Sequence, residues 1–291
     1  MEKTFHLGFL MHISHYDPAW CDIKEKEEKF DLQTALCVVR AMSRQGMDLL
    51  VVDCEDGVEY KSHPELKRPY SVPMSDLREL AGFANSCNID IVPKLNFAKS
   101  DRKRHDLWLE PNASRKNWLE DIEEYFKIAD DIISELIQVC KPRQYFHIGM
   151  DEDHSRSSEQ YADAIIRLRT IVSRHGLRTV IWNDSCENNK NSMAQVHAEK
   201  SIAAEKMLPK DIVHVLWQYS RVHPECVKRL TAEGFDVWAA PGHDKKHIMQ
   251  WREALLENHG SGILMTNWIK CAAINKNSLI DVINLLGKSD I

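Results

Sequence analysis

The chain has 291 residues, of which 43% are apolar, so it can form one large globular domain with a substantial core. Its net charge of -6 gives no general attraction for phosphate backbones or anionic lipid, so nucleic acid and membranes are not expected partners. No segment has the ~20 continuous apolar residues of a membrane helix, and the N-terminus lacks the basic start and apolar centre of a signal peptide, which predicts a cytoplasmic protein.

Short β-branched or aromatic runs alternate with longer amphipathic stretches along the whole sequence. This alternation is typical of parallel strands joined by helices. The predicted strands are 7–11, 48–52, 89–93, 144–148, 178–182, 212–217, 235–239 and 262–266. The predicted helices are 31–45, 75–85, 118–139, 158–175, 194–206, 224–232, 245–258 and 277–286. Several helices end near a glycine, namely Gly46, Gly176, Gly234 and Gly260.

Eight strand-helix units predict a (β/α)8 TIM barrel, formed by residues 1–291 as a single catalytic domain. A doubly wound open sheet is the alternative architecture. In a barrel, the residues just after each strand collect at one rim, whatever their separation in sequence. In helix 118–139 an apolar stripe is expected to pack on the sheet, and it consists of Ile122, Phe126, Ala129, Ile133 and Leu136.

The eight cysteines are scattered through the sequence and include no Cys-x-x-Cys pair. This spacing gives no indication of a zinc or redox centre. Reduced and mostly buried thiols are expected.

Three consecutive acids, Asp151, Glu152 and Asp153, follow the fourth predicted strand. Acidic residues are poor strand formers, and strand-end carboxylates are candidate groups for acid/base catalysis. A solvated acidic loop that opens the next helix is the alternative interpretation. Strict strand alternation would send Asp151 and Glu152 to opposite faces, so the chain is expected to turn at this point.

Indoles, carboxylates, amides and lysines follow the other predicted strands. Aromatic faces pack on the C–H surface of sugar rings and polar groups bind the hydroxyls, so this mixture predicts a carbohydrate substrate and requires no cofactor. Each tryptophan is about equally suited to packing beneath the rim. The candidate substrate-binding residues are His12, His15, Glu55, Asp56, Lys94, Asn96, His147, Trp182, Asp184, Trp217, Tyr219, Trp268 and Lys270.

The connection 96–112 is basic and long for a loop between a strand and a helix. Long loops above a barrel are commonly lids or substrate-binding loops, and the alternative is a solvated surface loop. His105 and Trp108 are the residues of this loop that are predicted to reach the substrate.

The stretch 147–152, HIGMDE, resembles the His-x-Gly-Gly-Asp-Glu signature of the family-20 glycoside hydrolases, the β-N-acetylhexosaminidases, with Met150 replacing the second glycine. A looser similarity covers nearly the whole chain, including 55–56, 75–77, 89–93 and the strand ends at 182–184, 217–219 and 266–268. The resemblance implies a retaining, substrate-assisted glycosidase. In it Glu152 is the general acid, and Asp151 orients the acetamido group that attacks the anomeric carbon.

Three positions depart from the family pattern. The arginine expected after the first strand is absent from the run that contains His12 and His15, and the tyrosine expected after the seventh strand is absent from 238–242. Lys270 stands where a glutamate is often found, two places after the last tryptophan. Lys94 and Lys270 would suit an acidic or sulfated sugar, or act as simple counter-charges.

Other interpretations stay open at this level. A metal-dependent barrel hydrolase or isomerase would draw on the donors His12, His15, Asp53, Glu55, His147 and Asp184. A catalytically silent carbohydrate-binding barrel is a second alternative, and a barrel whose acids are plain counter-ions is a third. Association into a homo-oligomer also stays open.

Overall fold

The computed structural model describes residues 4–14, 27–99, 107–109, 122–186, 193–287 and 290. Strands and helices alternate along these residues. The strands are β1 His6–His12, β2 Leu49–Asp53, β3 Asp90–Lys94, β4 Tyr145–His147, β5 Arg178–Asn183, β6 Val213–Trp217, β7 Asp236–Ala240 and β8 Gly262–Met265. The helices are α1 Leu32–Arg44, α2 Met74–Ser86, α3 Ile122–Cys140, α4 Ser158–Ser173, α5 Met193–Glu205, α6 Pro224–Ala232, α7 Lys245–Glu257 and α8 Lys276–Ile283.

The eight strands close into one parallel barrel in chain order, and β8 pairs with β1 through His6 and Gly262. The predicted (β/α)8 barrel is therefore confirmed, and the open-sheet alternative is wrong. Each described strand lies within two residues of its predicted position at either end. The carboxyl ends of all eight strands meet at one rim, as the barrel prediction required.

Alternation along each strand divides its apolar side chains between two layers. One set fills the barrel interior, and it includes Leu10, Val51, Val92, Val180 and Val215. The other set packs outward beneath the helices, and it includes Phe9, Leu50, Ile91, Phe146 and Ile181. Every strand is buried on both faces, which explains the continuous apolar runs in the sequence.

The helix ends follow local capping chemistry. Ser157 and Gln160 form a capping box at the start of α4, and the Asp31 side chain accepts a hydrogen bond from Thr34 N at the start of α1. Gly46 and Gly176 adopt φ of 71° and 75° after α1 and α4, as predicted. After α7 the left-handed residue is His259, with φ 60°, one place before Gly260.

The predicted apolar stripe on α3 is confirmed only in part. Ala129, Ile133 and Leu136 are buried, whereas Ile122 at the first turn is 59% exposed. The buried face also includes Ile128 and Ile132, which the spacing did not select. Among the described residues, no helix combines the length and the apolar character that crossing a membrane requires.

Candidate functional site

The chain turns sharply after β4, where the three acids lie. β4 ends at His147, and Gly149, Met150 and Glu152 have φ of 70°, 81° and 50°. The turn expected between Asp151 and Glu152 is therefore confirmed, and strand alternation does not dictate where these two side chains point. Met150 stands at a left-handed position that glycine adopts without strain, which costs roughly 1–2 kcal/mol in a residue with a Cβ.

Asn96, just after β3, holds this turn in place. Its side-chain Nδ2 donates to Asp151 Oδ1 at 2.7 Å, and its Oδ1 accepts from Met150 N and Ala98 N, both at 3.1 Å. The turn approaches so closely that a Cβ at Gly149 would lie 2.4 Å from Asn96 Oδ1. Only glycine fits at position 149, and the contact fixes Asp151 relative to β3.

Asp184 holds the other side of the acid turn. It lies in a 3-10 turn, Asp184–Cys186, that follows β5. Its Oδ2 accepts from Glu152 N and its Oδ1 accepts from Trp217 Nε1, both at 2.9 Å. Burial and the nearby Asp151 carboxylate raise the pKa of Asp184 to about 8, so the neutral acid is the favoured form at neutral pH.

Asp153, the third acid, belongs to a separate ion-pair cluster. Arg156 Nη1 lies 2.6 Å and Lys200 Nζ 3.3 Å from its carboxylate, and Lys99 N donates to it at 2.7 Å. Burial alone would raise the pKa of Asp153, but the Arg156 guanidinium and the backbone donors hold that pKa below its usual range. Asp153 therefore anchors the loop, whereas Asp151 and Glu152 lie half-buried at the rim.

A continuous aromatic wall borders the rim. The rings of Trp217 and Tyr219 lie 5.8 Å apart, those of Tyr219 and Trp268 also 5.8 Å, and those of Trp268 and His12 5.6 Å. Tyr219 is 37% exposed and Trp268 is 39% exposed, so both present ring surface to solvent. Because Trp217 also binds Asp184, the wall is connected directly to the acid turn.

The strand ends of β1 to β3 form a buried charged network. Lys94 Nζ donates to Asp53 Oδ1 at 2.6 Å and to Glu55 Oε1 at 2.9 Å. His12 lies with Nδ1 2.8 Å from Asp53 Oδ2 and Nε2 2.8 Å from the Asn267 carbonyl oxygen, so both nitrogens face acceptors. All these residues are at most 1% exposed.

The pKa shifts in this network follow from burial and charge. Burial alone would lower the pKa of Lys94, but the Asp53 and Glu55 carboxylates raise it. Burial opposes ionisation of Asp53 too, yet the Lys94 ammonium holds the pKa of Asp53 well below its usual range. Burial and the Asp53 charge raise the pKa of Glu55. The network therefore holds an ionised Asp53 against Lys94, and Glu55 is the carboxyl group that favours its protonated form.

Residues 55–247 match the family model for glycosyl hydrolase family 20, catalytic domain. The chain belongs to glycosyl hydrolase family 20. No curated protein matches the chain.

Family-20 enzymes also appear among solved structures of similar fold. A Flavobacterium johnsoniae chitobiase matches with TM-score 0.68 and 13% identity over 99% of this chain and 49% of that one. The Streptomyces plicatus N-acetyl-β-hexosaminidase in complex with Thio-NAglucal matches with TM-score 0.66 and 13% identity over 98% and 64%. Dispersin B matches with TM-score 0.61 and 16% identity over 97% and 98%. The chain thus spans about half the length of the chitobiase, and at these identities the likeness shows the fold.

Several predicted residues of this family-20 chain lie behind the rim. Trp182 is 5% exposed and packs on His147, with ring centroids 4.6 Å apart. Asp56 is buried and accepts from Ser14 Oγ at 2.8 Å and from Tyr70 OH at 2.7 Å. His147 is buried too, and its Nδ1 accepts from Gly149 N at 3.0 Å. Burial and the nearby Lys94 charge lower the pKa of His147 well below its usual value.

Two expectations from the sequence need correction. Trp108 is only 1% exposed, and its Nε1 donates to the Asn96 carbonyl oxygen at 2.9 Å, so it supports Asn96 from behind rather than reaching out of the loop. Lys270 lies in a buried ion pair with Glu27, with its Nζ 3.0 Å from Oε1, which matches the counter-charge interpretation. His15 and His105 lie outside the described residues.

The sequence did not identify two residues that support the site. Tyr161 on α4 donates to the Met150 carbonyl oxygen at 2.8 Å and so holds the acid turn from below. In the sequence it is part of the apolar face of a helix, and nothing in that pattern distinguishes it from a core tyrosine. Asn267 binds His12 through its backbone carbonyl oxygen, and because every residue has this group the sequence does not reveal the contact.

The described donors of the metal-dependent alternative are bound to protein groups. Lys94 contacts both Asp53 and Glu55, where a cation would otherwise lie, and Asp184 binds Trp217 and a backbone amide. Within the described ranges, the ligand-type side chains that converge within 4.8 Å are His223, Glu225 and Cys226, which are not members of the predicted set.

Proposed function

We propose that the chain is a retaining glycosidase that removes a terminal hexosamine-type sugar, with Glu152 as general acid and Asp151 orienting the substrate's acetamido group. The observation that carries this proposal is the left-handed turn at 149–152, which presents both acids at a rim bordered by exposed aromatic rings. The family to which the chain belongs supports the same reaction class.

These two acids account for the proton transfer and the charge stabilisation that the reaction needs. The Glu152 carboxyl gives its proton to the glycosidic oxygen while the acetamido oxygen attacks the anomeric carbon, which breaks the bond to the leaving group. The Asp151 carboxylate accepts from the acetamido N–H and stabilises the positive charge that develops. Water, deprotonated by the Glu152 carboxylate, then opens the cyclic intermediate. Two inversions at the anomeric carbon give net retention.

Asn96 and Asp184 serve as positioning residues in this scheme. Asn96 fixes one Asp151 oxygen at 2.7 Å, and Asp184 fixes the backbone of Glu152 at 2.9 Å. A neutral Asp184 adds no negative charge beside the two reacting acids, which matters because a third carboxylate charge would oppose ionisation of Asp151.

Tyr219 is our candidate for the acetamido-binding tyrosine that is absent after the seventh strand. The family pattern implies an acetamido-binding tyrosine after that strand, and here the run 238–242 has none. The Tyr219 ring, which comes from the β6 end, lies so close to Gly242 that a Cβ there would be 3.1 Å from its Cδ1. We assign the Tyr219 hydroxyl as a donor to the acetamido oxygen.

The geometry favours an uncharged hexosamine over an acidic or sulfated one. Lys94 and Lys270 were the cations that suggested a charged sugar, and both are buried in ion pairs with Asp53, Glu55 and Glu27. Exposed Trp268 and Tyr219 rings instead offer faces to the C–H surface of a sugar ring.

The experiment compares aryl β-N-acetylglucosaminides and β-N-acetylgalactosaminides with the aryl β-hexosides that lack the acetamido group. Turnover is expected only for the N-acetylated substrates, because the acetamido oxygen is the nucleophile. Tyr219→Phe is expected to slow the N-acetylated substrates up to about 10-fold, as for one lost hydrogen bond. Equal turnover of both substrate classes would contradict the mechanism. Calorimetric glycan binding without hydrolysis would support the silent-barrel alternative instead.

A further inference from the structure

A second cluster of reactive side chains lies where α6 begins. Ligand atoms of His223, Glu225 and Cys226 lie within 4.8 Å of one another. His223 Nδ1 is 2.9 Å from Glu225 Oε1, and Cys226 Sγ contacts the Ser185 carbonyl oxygen at 3.6 Å. The cluster is thus joined to the 3-10 turn Asp184–Cys186 at the end of β5.

Cys186 brings a second thiol to this cluster. The Cys186 thiol forms a hydrogen bond with the Cys226 thiol. Cys186 is fully buried, Cys226 is 7% exposed and His223 is 6% exposed, whereas Glu225 is exposed. Two thiols and an imidazole therefore meet in a protected place with one carboxylate at its edge.

We propose that His223, Glu225 and Cys226 form a binding site for a thiophilic divalent cation of the Zn²⁺ class, with the neighbouring Cys186 thiol as the fourth ligand. The site uses none of the residues assigned to glycoside cleavage, so the inference stands independently of the proposed function.

The donor set selects the type of cation. Thiolate and imidazole ligands suit Zn²⁺, whereas Mg²⁺ and Ca²⁺ require oxygen ligands. Zinc bonds of about 2.0–2.3 Å place tetrahedral ligand atoms roughly 3–4 Å apart. His223, Glu225 and Cys226 already have ligand atoms within 4.8 Å of one another and need shifts of less than about 1 Å each, whereas Cys186 lies outside that group and needs a larger side-chain shift. Binding releases the two thiol protons to solvent, so affinity should fall as the pH is lowered.

The spacing of the ligands explains why the sequence gave no sign of this site. Cys186 and Cys226 come from different strand-helix units, and neither has another cysteine within four residues. The β5 and β6 strands pair along their length and bring the two following segments together. A bound ion would cross-link the start of α6 to the turn that carries Asp184.

The test uses the reduced full-length chain, stripped of metal with a chelator and titrated with Zn²⁺ and with Co²⁺. One ion per chain is expected, with a thiolate-to-Co²⁺ charge-transfer band and a higher Tm. Cys226→Ser and Cys186→Ser should each weaken binding at least about 10-fold, because a thiolate ligand is lost. Cys37→Ser, which changes a cysteine on α1, is the matched control and should bind like the wild type.

A second measurement on the wild-type chain does not depend on how the variants fold. Zn²⁺ should protect Cys226 from alkylation and leave the rate at Cys37 unchanged. The inference is overturned if no charge-transfer band forms, if Cys226→Ser binds Zn²⁺ as tightly as the wild type, or if Zn²⁺ gives Cys226 no protection.

Discussion

Two stretches of the same barrel rim carry carboxylates, and they are arranged in opposite ways. At β1 to β3, Asp53 and Glu55 are at most 1% exposed and contact the Lys94 ammonium at 2.6 and 2.9 Å. At β4, Asp151 and Glu152 are half-buried and are held by an amide side chain and by a backbone hydrogen bond. Paired and buried carboxylates stabilise the rim, whereas the turn held by Asn96 and Asp184 carries two half-buried acids that can exchange protons with a substrate.

The difference comes from the partners of the acids and from the backbone that carries them. In the β1 to β3 region, register places His12 beside Asp53 and Asp53 beside Lys94 on regular strands, whereas Glu55 follows β2 in a 3-10 turn with φ 29°. In the β4 region the strand ends early, and a left-handed turn carries the acids out of register. Because Glu55 also has a positive φ after its strand, backbone strain alone does not distinguish the candidate catalytic acids, and what distinguishes the structural ones is their buried ammonium partner.

The Lys94→Met substitution tests whether the β1 to β3 network stabilises the fold, because it leaves Asp53 and Glu55 buried without their ammonium partner. Removing one member of a buried ion pair typically costs about 3–5 kcal/mol, and we expect a loss of unfolding free energy of that size in urea. Lys67→Met is the matched control, because Lys67 is 55% exposed in its pair with Glu59 and should lose at most about 1 kcal/mol. Equal losses in the two variants would show that the β1 to β3 network is not structural.

Gly149→Ala tests the acid turn with a smaller effect on stability. The new Cβ meets Asn96, so we expect a loss larger than the roughly 1–2 kcal/mol of left-handed strain alone, together with a fall in glycosidase activity. Gly176→Ala isolates the strain, because Gly176 has φ 75° and nothing within 4 Å of the added Cβ. If both variants kept full activity and lost the same stability, the close approach of Asn96 would have no role in placing Asp151.

The Asp184→Asn substitution tests the acid turn through the pH dependence of stability. The pKa of Asp184 is raised from 3.8 to about 8 by burial and by Asp151, so folding takes up a proton between these values. The stabilisation from this proton is fully present below the unfolded-state pKa and is lost as the pH rises to the folded-state pKa. The unfolding free energy then changes by at most about 1.4 kcal/mol per pH unit.

Asp184→Asn cannot take up this proton, so its stability relative to the wild type should improve as the pH rises. Urea unfolding from about pH 5 to about pH 8 measures the difference, with the exposed Asp281→Asn as control. Parallel pH curves for the wild type and Asp184→Asn would show that Asp184 is ionised throughout, and that its raised pKa is wrong.

The sequence predicted the barrel well because strand and helix periodicities are local properties. Pro224 and Lys245 were placed correctly as the first residues of α6 and α7. The pairing of Lys94 with Asp53 and Glu55, and of Lys270 with Glu27, could not be predicted, because it depends on register and on loops from different units. The sequence also could not predict that Trp268 is exposed and Trp238 is buried. Trp238 lies within an apolar run and Trp268 follows one, so their surroundings in the sequence are similar.

The central claim is that Glu152 donates a proton to the leaving group. Glutamine at this position keeps the shape and hydrogen-bonding groups of the side chain but removes its acid. Loss of a general acid typically costs about 10²–10⁴-fold in rate. That cost should apply to N-acetylhexosaminides with basic leaving groups. A dinitrophenolate, in contrast, leaves without being protonated.

The decisive measurement is therefore the kcat/KM of Glu152→Gln across leaving groups of increasing basicity, because kcat/KM reports cleavage of the glycosidic bond and not the later attack of water, with the exposed Glu253→Gln as control. We predict a loss of at least about 100-fold for the most basic leaving group, a much smaller loss for dinitrophenyl, and no change in Glu253→Gln. An equal loss for every leaving group, or undiminished activity in Glu152→Gln, would contradict the assignment of Glu152 as the acid.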